Sequence, residues 1–147
     1  MSETKIQMSV LPFLTPFEPA EPGALPLFRE WACGADGLLQ VDYGHMTLLS
    51  GQEALRIWAS KALRTAVARF AAYTADYGSE LEELIGQPYS EAYIRAESQR
   101  MITEALLASP YIVEVGGASA SMTGDGRLSV TANYRSVYGA ADLEVFV

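Results

Sequence analysis

SGQEALRIWASKALRTAVARFAAYTADYGSELEELIG, residues 50–86, is the stretch around which the rest of the chain arranges itself. Ser50 and Glu53 match an S-x-x-E capping box, in which each side chain satisfies an orphan backbone donor at a helix start. Leu55, Trp58, Ala59, Ala62, Leu63 and Ala66 follow at the three–four spacing of one helical stripe. Arg56, Lys61 and Arg64 lie off that stripe, and the last two fall where the helix dipole favours cations. After Asp76-Tyr77-Gly78, a second box of Ser79 and Glu82 predicts a short acidic helix, stopped by Gly86 and Pro88. Nothing in this stretch is spaced for chemistry. It reads as a rigid docking scaffold.

Downstream, Ser90 is the expected cap of a long helix, EAYIRAESQRMITEALLAS, ended by Pro110. Ile94, Met101, Ile102, Ala105 and Leu106 form its apolar stripe, and Glu91–Arg95 and Arg100–Glu104 are i,i+4 pairs. Beyond it the chain reads as strand: YIVEV, ASASMT, a turn at Gly124-Asp125-Gly126, then RLSVTANYRSV. In the last run Leu128, Val130, Ala132 and Tyr134 alternate with Ser129, Thr131, Asn133 and Arg135, the period of a sheet with one buried face. Gly139 breaks it, and DLEVFV follows with Leu143, Val145 and Val147 on one face. That terminal run either pairs within its own sheet or adds to the sheet of another subunit.

Upstream, LFREWACG and LLQVDYGHMTLL flank Gly34-Ala35-Asp36-Gly37, which predicts a hairpin. His45, the single histidine, reads as a surface or turn residue, because it has no cysteine partner for a metal and no nucleophile near it in sequence. Residues 1–26 hold five prolines (Pro12, Pro16, Pro19, Pro22, Pro26), which argue against a helix or central strand. This arm is either a polyproline-like leader or an extension docked through Leu11, Phe13, Leu14 and Phe17. The expected architecture is α+β: residues 27–147 form one domain with a small mixed or antiparallel sheet packed against two or three helices and a hairpin-rich C-terminal third.

The whole-chain quantities fit one domain. A chain of 147 residues can bury a sizeable core, and 50% hydrophobic with 19% charged residues is globular composition. A net charge of −8 argues against nucleic acid or an anionic membrane as partner. One cysteine, Cys33, excludes an internal disulfide and a cysteine metal cluster. The expectation is a cytosolic, soluble chain with no signal peptide, no membrane span and no cofactor.

Four segments, GQEALRIWASKALRT, YTADYGSELEELIG, ITEALLASPYI and VYG, stand in one order and spacing that resembles the XkdS-type baseplate wedge proteins of contractile phage tails and phage-derived tail-like particles. That group is a branch of the "lysozyme-like" wedge family, with further members in type VI secretion baseplates. The resemblance covers roughly residues 25–147. It implies a structural subunit of the virion tail baseplate, made in the host cytoplasm and arranged six-fold around the tube. On one side it would meet a helical bundle of larger wedge proteins, with tube or hub proteins as further neighbours. On the other it would offer a sheet edge to strands of the first sheath ring, so that the sheath starts to polymerise there.

The wider family carries a Glu-Pro-Arg-like motif before its Phe/Tyr-Gly, whereas the interval here is AVARFAAYTADYG, with Arg69 its only basic residue. The bundle contact is therefore assigned to Arg69, Tyr73, Tyr77 and Gly78, and the sheath-side edge to Leu143, Val145 and Val147. The lysozyme label raises catalysis. Glycoside hydrolysis needs two carboxylates on one cleft, one of them in an apolar pocket. Glu80, Glu82 and Glu83 sit instead at the start of a short helix, where carboxylates favour the dipole. The reading is non-enzymatic. A wall-cleaving enzyme and a cytosolic adaptor are the rival classes, and the latter is suggested by a related fold in a small bacterial anti-adaptor.

Overall fold

The computed structural model describes residues 24–147. The four arm anchors Leu11, Phe13, Leu14 and Phe17 lie outside the described residues. In chain order the elements are β1 (Arg29–Trp31), β2 (Val41–Asp42), β3 (His45–Met46), β4 (Leu48–Ser50), α1 (Gly51–Arg64), a 3-10 helix (Leu81–Leu84), α2 (Glu91–Leu107), β5 (Ile112–Met122), β6 (Leu128–Ser136) and β7 (Gly139–Phe146). This is the expected α+β class. The strands form two two-stranded ladders, β1–β4 and β2–β3, and one three-stranded sheet in the order β5-β6-β7. Every ladder is antiparallel.

The core lies between the helices and one face of the three-stranded sheet. Alternation along β6 buries Leu128, Val130, Ala132 and Tyr134, and Leu143 and Val145 of β7 join them. Leu55 and Leu63 of α1, and Ile94, Met101, Ile102 and Leu106 of α2, close the other side, with Leu81 and Leu84 of the 3-10 helix filling the end. Each such aliphatic side chain contributes roughly 1.5–3 kcal/mol of burial free energy. Helix α1 lies alongside β7 and the end of β6: Arg56 Nη2 donates to the Asp142 carbonyl of β7 at 2.7 Å, and Ser136 Oγ of β6 donates to Gln52 Oε1 at 2.7 Å. Helix α2 packs on β5.

Local capping differs between the helices. Ser90 caps α2 as expected, its Oγ accepting from Tyr93 N–H at 3.2 Å. The two predicted capping boxes do not form. Ser50 is the last residue of β4, paired with Arg29, and Gly51 turns the chain into α1 at φ +65°, so the serine side chain makes no cap bond. The 3-10 helix starts after Glu80 rather than Ser79, and the buried Ser79 hydroxyl donates to Leu63 O at 2.8 Å. Tertiary contacts outcompete the local motif in both places. On α2, Glu91 and Arg95 form no ion pair among the described residues; charge gathers on Arg100, which meets Glu97, Glu104 and Glu80.

The strand regions also depart from expectation in two places. YIVEV and ASASMT are one strand, β5, with register shifts at Ile112/Glu114 and Val115/Gly117. Gly116 is the residue passed over at the second shift, and a Cβ there would stand 2.6 Å from Asn133 Oδ1. Upstream, the Gly34–Gly37 turn forms, with Gly37 N–H donating to Gly34 O at 2.9 Å and Cys33 bridged to Leu39. A second reversal follows at Tyr43-Gly44, both at positive φ (49° and 81°), the geometry of a two-residue hairpin turn. The ribbon therefore pairs twice: residues 32–34 bond to 38–40 across the first turn, and β1 itself pairs with β4 beyond the second.

At the N-terminal edge of the described chain, Tyr111 donates its hydroxyl to Pro26 O at 2.8 Å, and Phe28 N–H donates to the Tyr138 hydroxyl at 2.9 Å. The Phe28 ring meets Tyr111 edge-on with centroids 4.9 Å apart. Residues 26–28, where arm and domain were expected to meet, are thus tied to the sheet.

Candidate functional site

Residues 66–79 leave α1 and return to it. The loop is closed by Val67 N–H to Ser79 O at 3.1 Å and Ser79 N–H to Thr65 O at 2.8 Å. Gly78 is required at this neck. Its φ is +116°, and a Cβ would lie 2.7 Å from Thr65 O and 2.9 Å from Val67 N.

The loop carries a row of aromatic rings backed by the helix. Tyr77 stands edge-on to Trp58 of α1 at 5.8 Å, Tyr73 lies 4.4 Å from Tyr77, and Phe70 stands edge-on to Tyr73 at 6.1 Å. The row runs outward from the half-buried Tyr77 to Tyr73 and Phe70, which are 49% and 52% exposed. Burial, with the neighbouring Tyr73 phenol adding to it, pushes the Tyr77 hydroxyl up to about 12. Arg69 grips Glu82 with two parallel bonds, Nη1 to Oε1 at 2.9 Å and Nη2 to Oε2. The guanidinium braces the loop against the 3-10 helix.

All four residues assigned to the bundle contact lie on this loop, where Tyr73 and Tyr77 meet ring to ring while Arg69 turns aside to Glu82. Sequence reasoning missed Trp58, read only as core, along with Phe70 and Glu82. The aromatic spacing from Phe70 through Tyr73 to Tyr77, three and four apart, was the available signal. It also missed the apolar surface of the ribbon, where Leu38, Leu39, Val41, Tyr43 and Met46 are exposed.

Leu143 and Val145 of β7 point into the core and Val147 is partly buried. Their strand is an outer strand of the sheet, paired with β6 in one unbroken register from Gly139 to Phe146. What this strand offers outward is backbone, not these three side chains.

Two of the three carboxylates at the 3-10 helix are matched by arginines. Glu82 is held by Arg69, and Glu80 lies 3.4 Å from Arg100. Glu83 is solvent-exposed. None occupies the apolar pocket that a general acid requires. His45 lies exposed on β3 opposite Asp42. Among the described residues, no three His, Cys, Asp or Glu side chains cluster to hold a metal, and no helix is long and apolar enough to cross a membrane.

A crystal structure from Geobacter sulfurreducens, provisionally described as a tail lysozyme, shares the fold with a TM-score of 0.58. It is 22% identical, and the similarity covers 70% of this chain and 95% of that one. No curated protein sequence matches significantly. The family model for the contractile injection system sheath initiator matches residues 31–139, from the ribbon to the start of β7. The chain therefore belongs to the contractile injection system sheath-initiator family, whose role is a structural one in the baseplate.

Proposed function

We propose that the chain is a wedge subunit of the XkdS-type branch that joins the inner baseplate to the first sheath ring. The carrying observation is the unbulged outer strand β7, an edge onto which another chain can add a strand through main-chain bonds. The aromatic loop is the second contact. Phe70 and Tyr73 present rings to solvent on a loop pinned at its neck and braced by Arg69, the low-entropy anchor that suits a helical bundle of larger wedge proteins. In this reading the subunits stand six-fold around the tube in the virion, next to tube or hub proteins, after synthesis in the host cytoplasm. In the same reading, residues 27–147 form the single domain.

Negative-stain electron microscopy of tails tests this, using cells that lack the gene and carry either the full chain or a Phe70→Ala, Tyr73→Ala double variant. The null should give bare tubes or no tails, the full chain should restore sheathed tails, and the loop variant should fail to build baseplates. Sheathed, normal-looking tails from the null would overturn the proposal.

A further inference from the structure

The two outer strands of the C-terminal sheet are not equivalent. β5 shifts register twice against β6, and such bulges bend an edge away from pairing. β7 keeps a single register. Leu128 and Val147 exchange both backbone bonds, at 3.0 and 2.9 Å. Alternation along an antiparallel ladder then turns the N–H and C=O of Ala140, Asp142, Glu144 and Phe146 away from β6. Among the described residues, one of these outward groups has a partner: the Asp142 carbonyl, held by Arg56.

The side chains give this edge a sign. Asp142 and Glu144 are exposed and stand opposite Asn133 and Thr131 of β6. Neither carboxylate has an ion-pair partner among the described residues. Main-chain pairing carries no side-chain code, so these two carboxylates are what can select a strand. Opposite charges directly across a ladder stabilise it and like charges oppose it. A second copy of this chain, with net charge −8, would bring carboxylates against carboxylates.

We infer that β7 accepts a strand of another protein whose alternate residues are Lys or Arg, in register with Asp142 and Glu144, and that Arg56 releases the Asp142 carbonyl as that strand pairs. The inference rests on the strand-addition reading above and specifies its edge and its chemistry. The Arg56 side chain is solvent-exposed, so its bond is weak enough to exchange for a backbone donor.

The full chain is titrated with two fluorescein-labelled heptapeptides, one alternating Lys with Thr and one alternating Glu with Thr, and followed by anisotropy. The Lys peptide should bind about tenfold tighter than the Glu peptide. It should shift the amide signals of Ala140, Asp142, Glu144 and Phe146. Asp142→Lys with Glu144→Lys should invert the preference, although that variant remains net acidic and a merely global attraction would keep it. Arg56→Ala should tighten Lys-peptide binding about threefold. No binding, no inversion, or shifts confined to β5 would overturn the inference. Those results combined with sheathless tails from the null would leave the sheath-initiation reading standing. Sheathed tails from the null would remove both.

Discussion

Gly78 shows how one residue sets the candidate contact. Its positive φ and the backbone of Thr65 and Val67 against its Cα leave no room for a side chain. Gly78→Ala should destabilise the chain by about 2–4 kcal/mol in urea denaturation. It should also speed hydrogen exchange at Val67 and Ser79, whose bonds close the loop. Gly86 also has positive φ (+75°), but nothing lies within 4 Å of its added Cβ, so Gly86→Ala should cost only about 1 kcal/mol. Equal costs at the two glycines would show that conformation alone, and not close approach, constrains Gly78.

At the scale of the element, the serines that precede the two helices should separate. Ser90 caps α2, and Ser90→Ala should cost about 1 kcal/mol. Ser50 makes no cap bond, and Ser50→Ala should leave the denaturation midpoint nearly unchanged. Matching losses would restore the capping box that the structure lacks. The aromatic loop has its own signature in pH. Burial raises the folded-state value of Tyr77 from 10.0 to about 12, which favours the neutral phenol. The resulting stability is complete below about pH 10 and is lost as pH rises towards about 12. Tyr77→Phe should flatten that decline in unfolding free energy measured between pH 8 and 12, relative to the parent chain. Burial also raises Tyr111 and Tyr134, so a residual decline should remain in both the parent and the variant. An unchanged slope would place the Tyr77 phenol in solvent.

For the whole molecule, β7 is both edge and core. A chain ending at Gly139 would lose Leu143 and Val145, each buried, and removals of this kind cost roughly 2–5 kcal/mol apiece. Such a truncation should lose its near-ultraviolet circular dichroism and its cooperative thermal transition. A tail defect in cells carrying it would then report on the fold, which is why the edge is tested by charge reversal at Asp142 and Glu144. A truncated chain that melts cooperatively near the parent temperature would show that β5 and β6 hold the core alone.

The helical stripes of α1 and α2, the alternation of β6, the Ser90 cap and the turns at Gly34–Gly37 and Gly124–Gly126 were legible in the sequence. Each is a local pattern, set by helical or strand periodicity or by one residue's conformational freedom. Arg69, Tyr73, Tyr77 and Gly78 fall on one loop because they are neighbours in the chain. Other features exist only through contacts between distant residues. Ser79 abandons its expected cap for Leu63, 16 positions away. Trp58 becomes the backing of the aromatic row through Tyr77. β1 pairs with β4, about 20 positions on, beyond the run that the first turn brings back. Arg56 reaches Asp142 across 86 positions. Sequence periodicity determined which residues face inward; tertiary packing decided which polar groups were left over at the surface to meet a partner. Hydrogen bonds go to whatever donor the folded chain brings within reach, and no local pattern records that.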